Sequence, residues 1–504
     1  MSWKNWRRVR QAVQILFFAV YIYLIFAVVE RRVAPALSDI FFRLDPLAAL
    51  GAMLASRSWI PKLALALVTV GLTLIIGRAW CGWICPLGSL LEWVTFKKAR
   101  KRSATISPQW RWVKYFLLAV SLAGALFGIL TWLVLDPIAI FTRTLTTAIL
   151  PAIFYAINSV EAILYRVDVL SPALDSFEGI VRGVVIPVEQ PVFAQSLLIA
   201  GMFTGILALN MLAHRFWCRY LCPLGALLGL LSKISLFRPL IGSACTQCTR
   251  CAVVCKPGAV DTNPENFHIM PSECTVCLDC FASCKPGDIR FGLSVKPAPK
   301  HEFDLTRRQA LGALATGAAG ALLLGTDLHL QQDNPWRIRP PGVSVEDLFL
   351  STCIRCSQCM KICPTTALQP AATEAGLAGL WTPLVVPRVG YCDYGCTACG
   401  QVCPSGAIPR LLLEEKRMAV IGKASIDRNR CLPWASGLAC IVCEEMCPTP
   451  QKAIRLEEAE VVDASGEVTS VQRPSVLREL CIGCGICEHY CPLEGTAAIR
   501  VYDA

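Results

Sequence analysis

The chain has 504 residues, of which 54% are hydrophobic and only 17% charged, with a mean hydropathy of +0.51. That is too apolar for one soluble protein and long enough for several domains, so a multi-domain membrane protein with soluble parts is expected. The net charge of +11 is unevenly divided: residues 331–504 carry 16 Lys+Arg against 19 Asp+Glu, and the first 330 carry 32 against 18. The basic excess therefore belongs to the membrane half and reads as a positive cytoplasmic face; no basic and aromatic patch points to nucleic acid.

Residues 1–240 read as a four-span module. Ala12–Val29 follows the basic start, Ile60–Gly77 runs to Arg78, Trp112–Leu135 follows a basic cluster at 97–102, and Phe193–Ala213 runs to His214 and Arg215. The basic clusters alternate so that the N-terminus lies in the cytoplasm, while Glu30–Trp59 and Asp136–Val192 lie outside.

The module repeats itself. RAWCGWICPLG, from Arg78, is matched by RFWCRYLCPLG, from Arg215; upstream, Asp45-Pro46 and Asp136-Pro137 each follow an outward span. Such a duplication predicts a pseudo-twofold axis along the membrane normal. Cysteines four apart on a helix share a face, so Cys81, Cys85, Cys218 and Cys222 are candidates to hold a metal or a small iron-sulfur cluster. The alternative is structural thiols at a helix end closed by proline. For Asp45 and Asp136, capping of a helix whose first residue is proline is the favoured reading, over a proton acceptor for quinol.

Residues 241–300 carry two ferredoxin loops, Cys245, Cys248, Cys251, Cys255 and Cys274, Cys277, Cys280, Cys284. In such loops three closely spaced thiolates hold one 4Fe-4S cube and the fourth serves its neighbour. Cys284 is therefore assigned to the first triplet and Cys255 to the second. Both loops continue Cys-Lys-Pro instead of the usual Cys-Pro.

Residues 304–328 decide the compartments. Arg307-Arg308 precede an uncharged stretch, Gln309–Gly325, that resembles a twin-arginine export signal retained as a fifth span, with the arginines inside and Asp327 outside. A short buried helix is the alternative, since seventeen residues only just span about 30 Å of hydrocarbon. After a linker, 329–348, residues 349–504 contain four more loops: Cys353, Cys356, Cys359, Cys363; Cys392, Cys396, Cys399, Cys403; Cys431, Cys440, Cys443, Cys447; and Cys481, Cys484, Cys487, Cys491. The second adds one residue to the first gap, and the third inserts LPWASGLA. Spacing leaves open whether these loops pair in sequence order or nested. Six loops and two CxxxCP pairs use all 28 cysteines, leaving none for disulfides.

These motifs carry a resemblance. Residues 1 to about 300, with two CxxxCP motifs and two inner loops, resemble the NapH-type membrane ferredoxins of periplasmic nitrate reductase systems. Residues 304–504, with the twin-arginine leader, Arg339-Pro340-Pro341-Gly342 and four loops, resemble the NapG-type periplasmic polyferredoxins, which are similar to the methylamine-utilisation ferredoxins. The resemblance implies a fusion: an α-helical bundle of four plus one spans, α+β ferredoxin-like domains on both sides of the bacterial inner membrane, and quinone as substrate.

With five histidines, no CxxCH and no glycine-rich nucleotide loop, the expected chemistry is electron transfer. The function expected is that of an electron-transfer subunit of a quinol dehydrogenase-type complex. It would link the quinone pool, or a cytoplasmic donor, to a periplasmic oxidoreductase or cytochrome through six 4Fe-4S clusters. The alternative is a maturation factor that keeps a partner metalloenzyme reduced during its activation.

Overall fold

The computed structural model describes residues 3–29, 35–95, 108–168, 171–182, 187, 190–264, 267–284, 288–293, 307–330, 334–462 and 468–503. The basic cluster at 97–102, residues 285–287, residues 304–306 of the twin-arginine motif and the linker's 331–333 lie outside them. The chain divides into two compact units. One comprises Met1–Leu145, Leu197–Leu323 and Ser351–Cys356; the other comprises Thr146–Ser196, Leu324–Leu350 and Ser357–Ala504.

In the first unit the N-terminal span is one helix, Trp3–Val29. The other expected spans are shorter. Ile60–Gly77 becomes a 3-10 turn, Pro61–Leu65, followed by the helix Ala66–Ile76. Trp112–Leu135 becomes the helix Trp112–Leu126, which ends before Gly128 in the left-handed region at φ +80°. Phe193–Ala213 contracts to Ser196–Leu209. Helix also forms where an outer loop is expected: Pro137–Thr144 runs through a π turn, Leu145–Ile149, into Leu150–Leu164. Pro151 lacks the N–H that would bond the carbonyl of Thr147. That carbonyl accepts from Ser196 Oγ at 2.6 Å instead. Among the described residues, two helical runs are long and apolar enough to cross a membrane, Asn5–Ala27 and Pro137–Leu164.

The expected anchor is a 24-residue helix, Arg307–Leu330. Gly317 lets it approach the helix Trp112–Leu126, because a Cβ there would meet Ala123 Cβ at 2.5 Å, whereas Gly312 faces open space.

Both Asp-Pro motifs open helices as expected. Asp45 Oδ1 accepts from the N–H groups of Leu47 and Ala48 at 2.9 and 3.3 Å, and Asp136 Oδ1 accepts from Ile138 and Ala139, both at 2.9 Å.

The inner ferredoxin domain is held by two short antiparallel pairs, Phe237–Ile241 with Ile289–Leu293 and Val260–Asp261 with His268–Ile269. Its core is Ala259, Ile269, Val276, Leu278, Phe281 and Ile289. Two buried carboxylates fix this domain to the helices. Glu273 takes both oxygens to Lys114 Nζ, at 2.7 and 2.6 Å, with Arg78 3.6 Å away. Glu92 receives Arg10 bidentately at 2.8 and 2.9 Å, and Lys256 of the ferredoxin domain at 2.6 Å. Burial would raise Glu273, but the charges of Lys114, Arg111 and Arg78 outweigh it and hold it below its ordinary value.

The second unit pairs Leu368–Pro370 with Pro383–Val385, Lys423–Ile426 with Ile499–Tyr502, and Ile454–Val462 with Val468–Val476, all antiparallel. Arg339 of the RPPG motif is buried. It pairs with Glu346, donates to Thr382 Oγ1 and the Pro383 carbonyl at 3.0 and 2.8 Å, and stacks over Phe349.

Glu273→Ala leaves Lys114 and Arg78 buried without their counter-charge, a loss on the order of 3–5 kcal/mol. The inner ferredoxin domain of that variant is expected to become sensitive to limited proteolysis. Because the folded value of Glu273 is depressed, its contribution is fully present at neutral pH and is lost progressively as pH falls from the ordinary carboxylate value, about 4, toward the folded one, so wild-type protein should keep its resistance to proteolysis above about pH 4 and lose it below.

Candidate iron-sulfur and thiol sites

None of the 28 cysteines forms a disulfide. Four cavities are each lined by four of them, three from one loop and one from another. In the first unit, Cys245, Cys248 and Cys251 with Cys284 line one cavity. In the second unit, Cys392, Cys396 and Cys399 with Cys363 line another, Cys431, Cys440 and Cys443 with Cys491 a third, and Cys481, Cys484 and Cys487 with Cys447 a fourth. The remaining inner set is also assembled, since Cys274, Cys277 and Cys280 each lie in electrostatic range of Cys255. The open question of order is thereby answered in the geometry: the third and fourth outer loops exchange their last cysteines, and the second takes that of the first.

The backbone of the four regularly spaced loops is shaped alike. The residues flanking each middle cysteine are left-handed: Gln247 and Thr249, Val276 and Leu278, Arg355 and Ser357, Gly483 and Gly485, with φ from 51° to 84°. For the six that are not glycine this conformation costs roughly 1–2 kcal/mol each. It turns successive N–H groups toward one centre, an anion-binding concavity that suits the sulfide and thiolate of a cube. The two loops with altered first gaps lack this pattern among the described residues. Burial pushes Cys274, Cys399, Cys443 and Cys484 up to about 12 and Cys392 to about 11, so these thiols surrender their protons to a metal and not to water at neutral pH. No three His, Cys, Asp or Glu side chains among the described residues converge closely enough for a single ion. Four thiols spaced around one cavity, too far apart for one ion, are the donor set of a multi-iron group.

The loops are also linked to one another. Cys392 N–H donates to the Cys484 carbonyl at 2.8 Å, joining the second and fourth outer loops. Gly485 packs on Pro387, and Arg388 donates to the carbonyls of Glu488 and Cys491 at 3.2 and 3.1 Å.

The CxxxCP motifs depart from the expected geometry. Their cysteines do not share one helix face: the helix Ala79–Trp83 ends before Cys85, and the second copy is a π turn, Trp217–Leu221. The proline does not close a helix either. Pro86 and Pro223 open the helices Pro86–Trp93 and Pro223–Ser232, with Cys85 Sγ and Cys222 Sγ accepting from Gly88 and Gly225 N–H at 3.4 and 3.2 Å. The repeat itself brings the pairs together, for Cys85 is in electrostatic range of Cys81 and Cys218, and Cys222 of all three others. The arginines reach from each copy of the repeat to the other. Arg215 Nη2 donates to the Cys81 carbonyl at 2.5 Å, and Arg78 Nη2 lies beside Gly225, where a Cβ would meet it at 2.9 Å. Sequence reading gave these arginines no role; their recurrence at one place in both copies was the signal.

This thiol site lies directly against the second inner loop. Arg78 Nη1 donates to the Ser272 carbonyl at 2.6 Å and Trp83 Nε1 to the Val276 carbonyl at 2.9 Å, while a Cβ on Gly82 would fall 2.0 Å from the Thr275 carbonyl oxygen.

Comparison with known proteins agrees with this chemistry. A family described as a 4Fe-4S binding domain matches residues 59–103 and 195–243, the two CxxxCP copies. The ferredoxin-type protein NapG of Escherichia coli is 36% identical over 199 residues, 38% of this chain and 83% of that protein. The chain belongs to the NapG/MauM family of ferredoxin-type proteins. The methylamine utilization ferredoxin-type protein MauM of Methylorubrum extorquens is 34% identical over 41% of this chain and 90% of its own length. MauN of the same organism is 26% identical over 42% of the chain and 59% of its own length. No solved structure matches. Family membership thus covers part of the chain and identifies it as an iron-sulfur protein of ferredoxin type, which suggests electron transfer.

The exchange of last cysteines is open to direct test. Cys491→Ser should disturb the group held by Cys431, Cys440 and Cys443 and leave that of the Cys481 loop in place, as read by electron paramagnetic resonance of the reduced protein. Loss of the Cys481-loop signal instead would contradict the exchange.

Proposed function

We propose that this chain carries electrons between the quinone pool and a periplasmic redox partner through six 4Fe-4S clusters, three-plus-one ligated by the 24 loop cysteines. The observation that carries this reading is the recurrence of four-thiol cavities joined by short backbone contacts. When bound, such clusters supply one-electron transfer at low reorganisation. The chain's own residues bury the thiols and aim N–H groups at them, and they dock the second inner loop on the CxxxCP site.

The finer topology belongs to the same proposal. Four spans and the helix Arg307–Leu330 place the N-terminus and the inner ferredoxin domain in the cytoplasm and residues 349–504 in the periplasm. Residues 1 to about 300 then act as a NapH-like partner fused to the NapG-like part. Folding and cluster loading before twin-arginine export suit an outer domain rich in oxygen-sensitive groups. About 30 Å of hydrocarbon is too far for one efficient tunnelling step between the two sides, so a centre within the module is needed. Cys81, Cys85, Cys218 and Cys222 are proposed to hold it, as a small iron-sulfur cluster next to a quinone site; a single metal ion, the other sequence expectation, does not fit, since no three such side chains converge on one point among the described residues.

Protein purified anaerobically should contain about 24 irons and as much sulfide per chain in its cubes; a count near eight would remove the outer clusters from the proposal. Exchanging both Cys81 and Cys218 for serine should leave the signals of the six cubes intact and stop quinol from reducing the outer ones. Normal reduction in that variant would show the four thiols to be structural.

A further inference from the structure

The capping aspartates hold more than their helices. Asp45 and Asp136 are both fully buried, at 0% and 2% exposure, and each spends Oδ1 on two backbone N–H groups. The Oδ2 of each has no donor. The two side chains nevertheless stand within hydrogen-bond range of each other, one from each copy of the repeat. Two ionised carboxylates offer acceptors only, so this contact requires a proton on one of them. Helix capping needs a single aspartate per helix and gives no reason for the two to meet.

The groups around the pair connect it to the redox sites. Arg143, on the helix that Asp136 caps, acts electrostatically on Asp136 and in turn lies near Arg355 and Cys356. Arg355 belongs to the Ser351–Cys356 segment packed in the same unit, where its Nη2 donates to Thr131 Oγ1 at 3.3 Å. Tyr21, on the first helix, is in electrostatic range of Cys85, Asp136 and Cys356 together, and its hydroxyl bonds Thr142 Oγ1, six residues beyond Asp136. Among the described residues Arg143 and Tyr21 act on Asp136, and Tyr21 acts also on Cys85, a thiol of the CxxxCP site.

We propose that Asp45 and Asp136 form a redox-linked proton site at the pseudo-twofold axis, holding one shared proton in the oxidised protein and taking a second when an electron enters the neighbouring thiol site. The inference rests on the reading of Cys81, Cys85, Cys218 and Cys222 as a redox centre. One electron arrives and one proton is transferred from hydronium in the surrounding water: one O–H bond of the hydronium breaks, leaving water, and one O–H bond forms on the pair. The buried region gains no net charge, which removes the main electrostatic penalty of reducing a centre away from water. Reoxidation releases the proton.

The experiment uses the full-length protein, reconstituted anaerobically in lipid nanodiscs and reduced with dithionite, with no quinol present. Infrared difference spectra, reduced minus oxidised, are recorded in H2O and D2O. The expected result is a deuterium-sensitive band of a protonated carboxyl in the wild type that is lost in both Asp45→Asn and Asp136→Asn, while the magnetic resonance signals of the cubes persist. Asparagine keeps a capping oxygen and supplies an N–H to the other side chain, so each single variant preserves the contact without the exchangeable acid. Absence of the band from the wild type, or its survival in both variants, overturns the proposal, and the wild-type measurement decides even if a variant fails to fold. Quinol oxidation is assayed separately on the same preparation: a protein that shows the band without oxidising quinol sustains the proton site and overturns the quinol reading, and one that oxidises quinol without the band overturns the proton site alone.

Discussion

Two buried carboxylates, Glu92 and Glu273, hold the first unit together. Each is a negative charge removed from water and answered by cations from separate parts of the chain: Arg10, Arg215 and Lys256 around Glu92, and Lys114 with Arg78 around Glu273. A buried ion pair gives little net stability compared with an apolar contact, but breaking one is costly, so such pairs specify one arrangement. Here the arrangement specified is the seat of the inner ferredoxin domain on the repeat. Arg78 and Arg215 take part in both the carboxylate network and the thiol site, and so the position of the second inner loop and that of the CxxxCP cysteines are set by the same two side chains.

Strain marks the iron-sulfur loops in the same way that charge marks the docking surface. Gln247, Thr249, Val276, Leu278, Arg355 and Ser357 adopt a left-handed backbone that side chains disfavour. Where the first cysteine is displaced by insertion, as in the Cys392 and Cys431 loops, the chain reaches the same four-thiol cavity by another path. The thiol positions are therefore the invariant of the architecture, and the backbone conformation is one means to it.

The sequence alone determined what local chemistry can determine. The cysteine triplets, the exchange in the inner domain, the Asp-Pro caps and the duplication are all legible because each rests on residues a few positions apart or on the repetition of such a group. Span lengths were less legible: hydropathy averages over a window and does not register that Gly128 ends a helix or that Pro137 begins a helical run long enough to cross a membrane. Only the tertiary structure decided that Cys363 joins the second outer triplet while the third and fourth loops exchange Cys447 and Cys491, that packing instead of a shared helix face brings the two CxxxCP pairs into electrostatic range, and that Asp45 meets Asp136. Those contacts join residues from 29 positions apart, Cys363 and Cys392, to 141 apart, Cys81 and Cys222. They follow from how the halves of the repeat and the two sides of each ferredoxin fold pack, a matter of shape and buried charge that no spacing along the chain encodes.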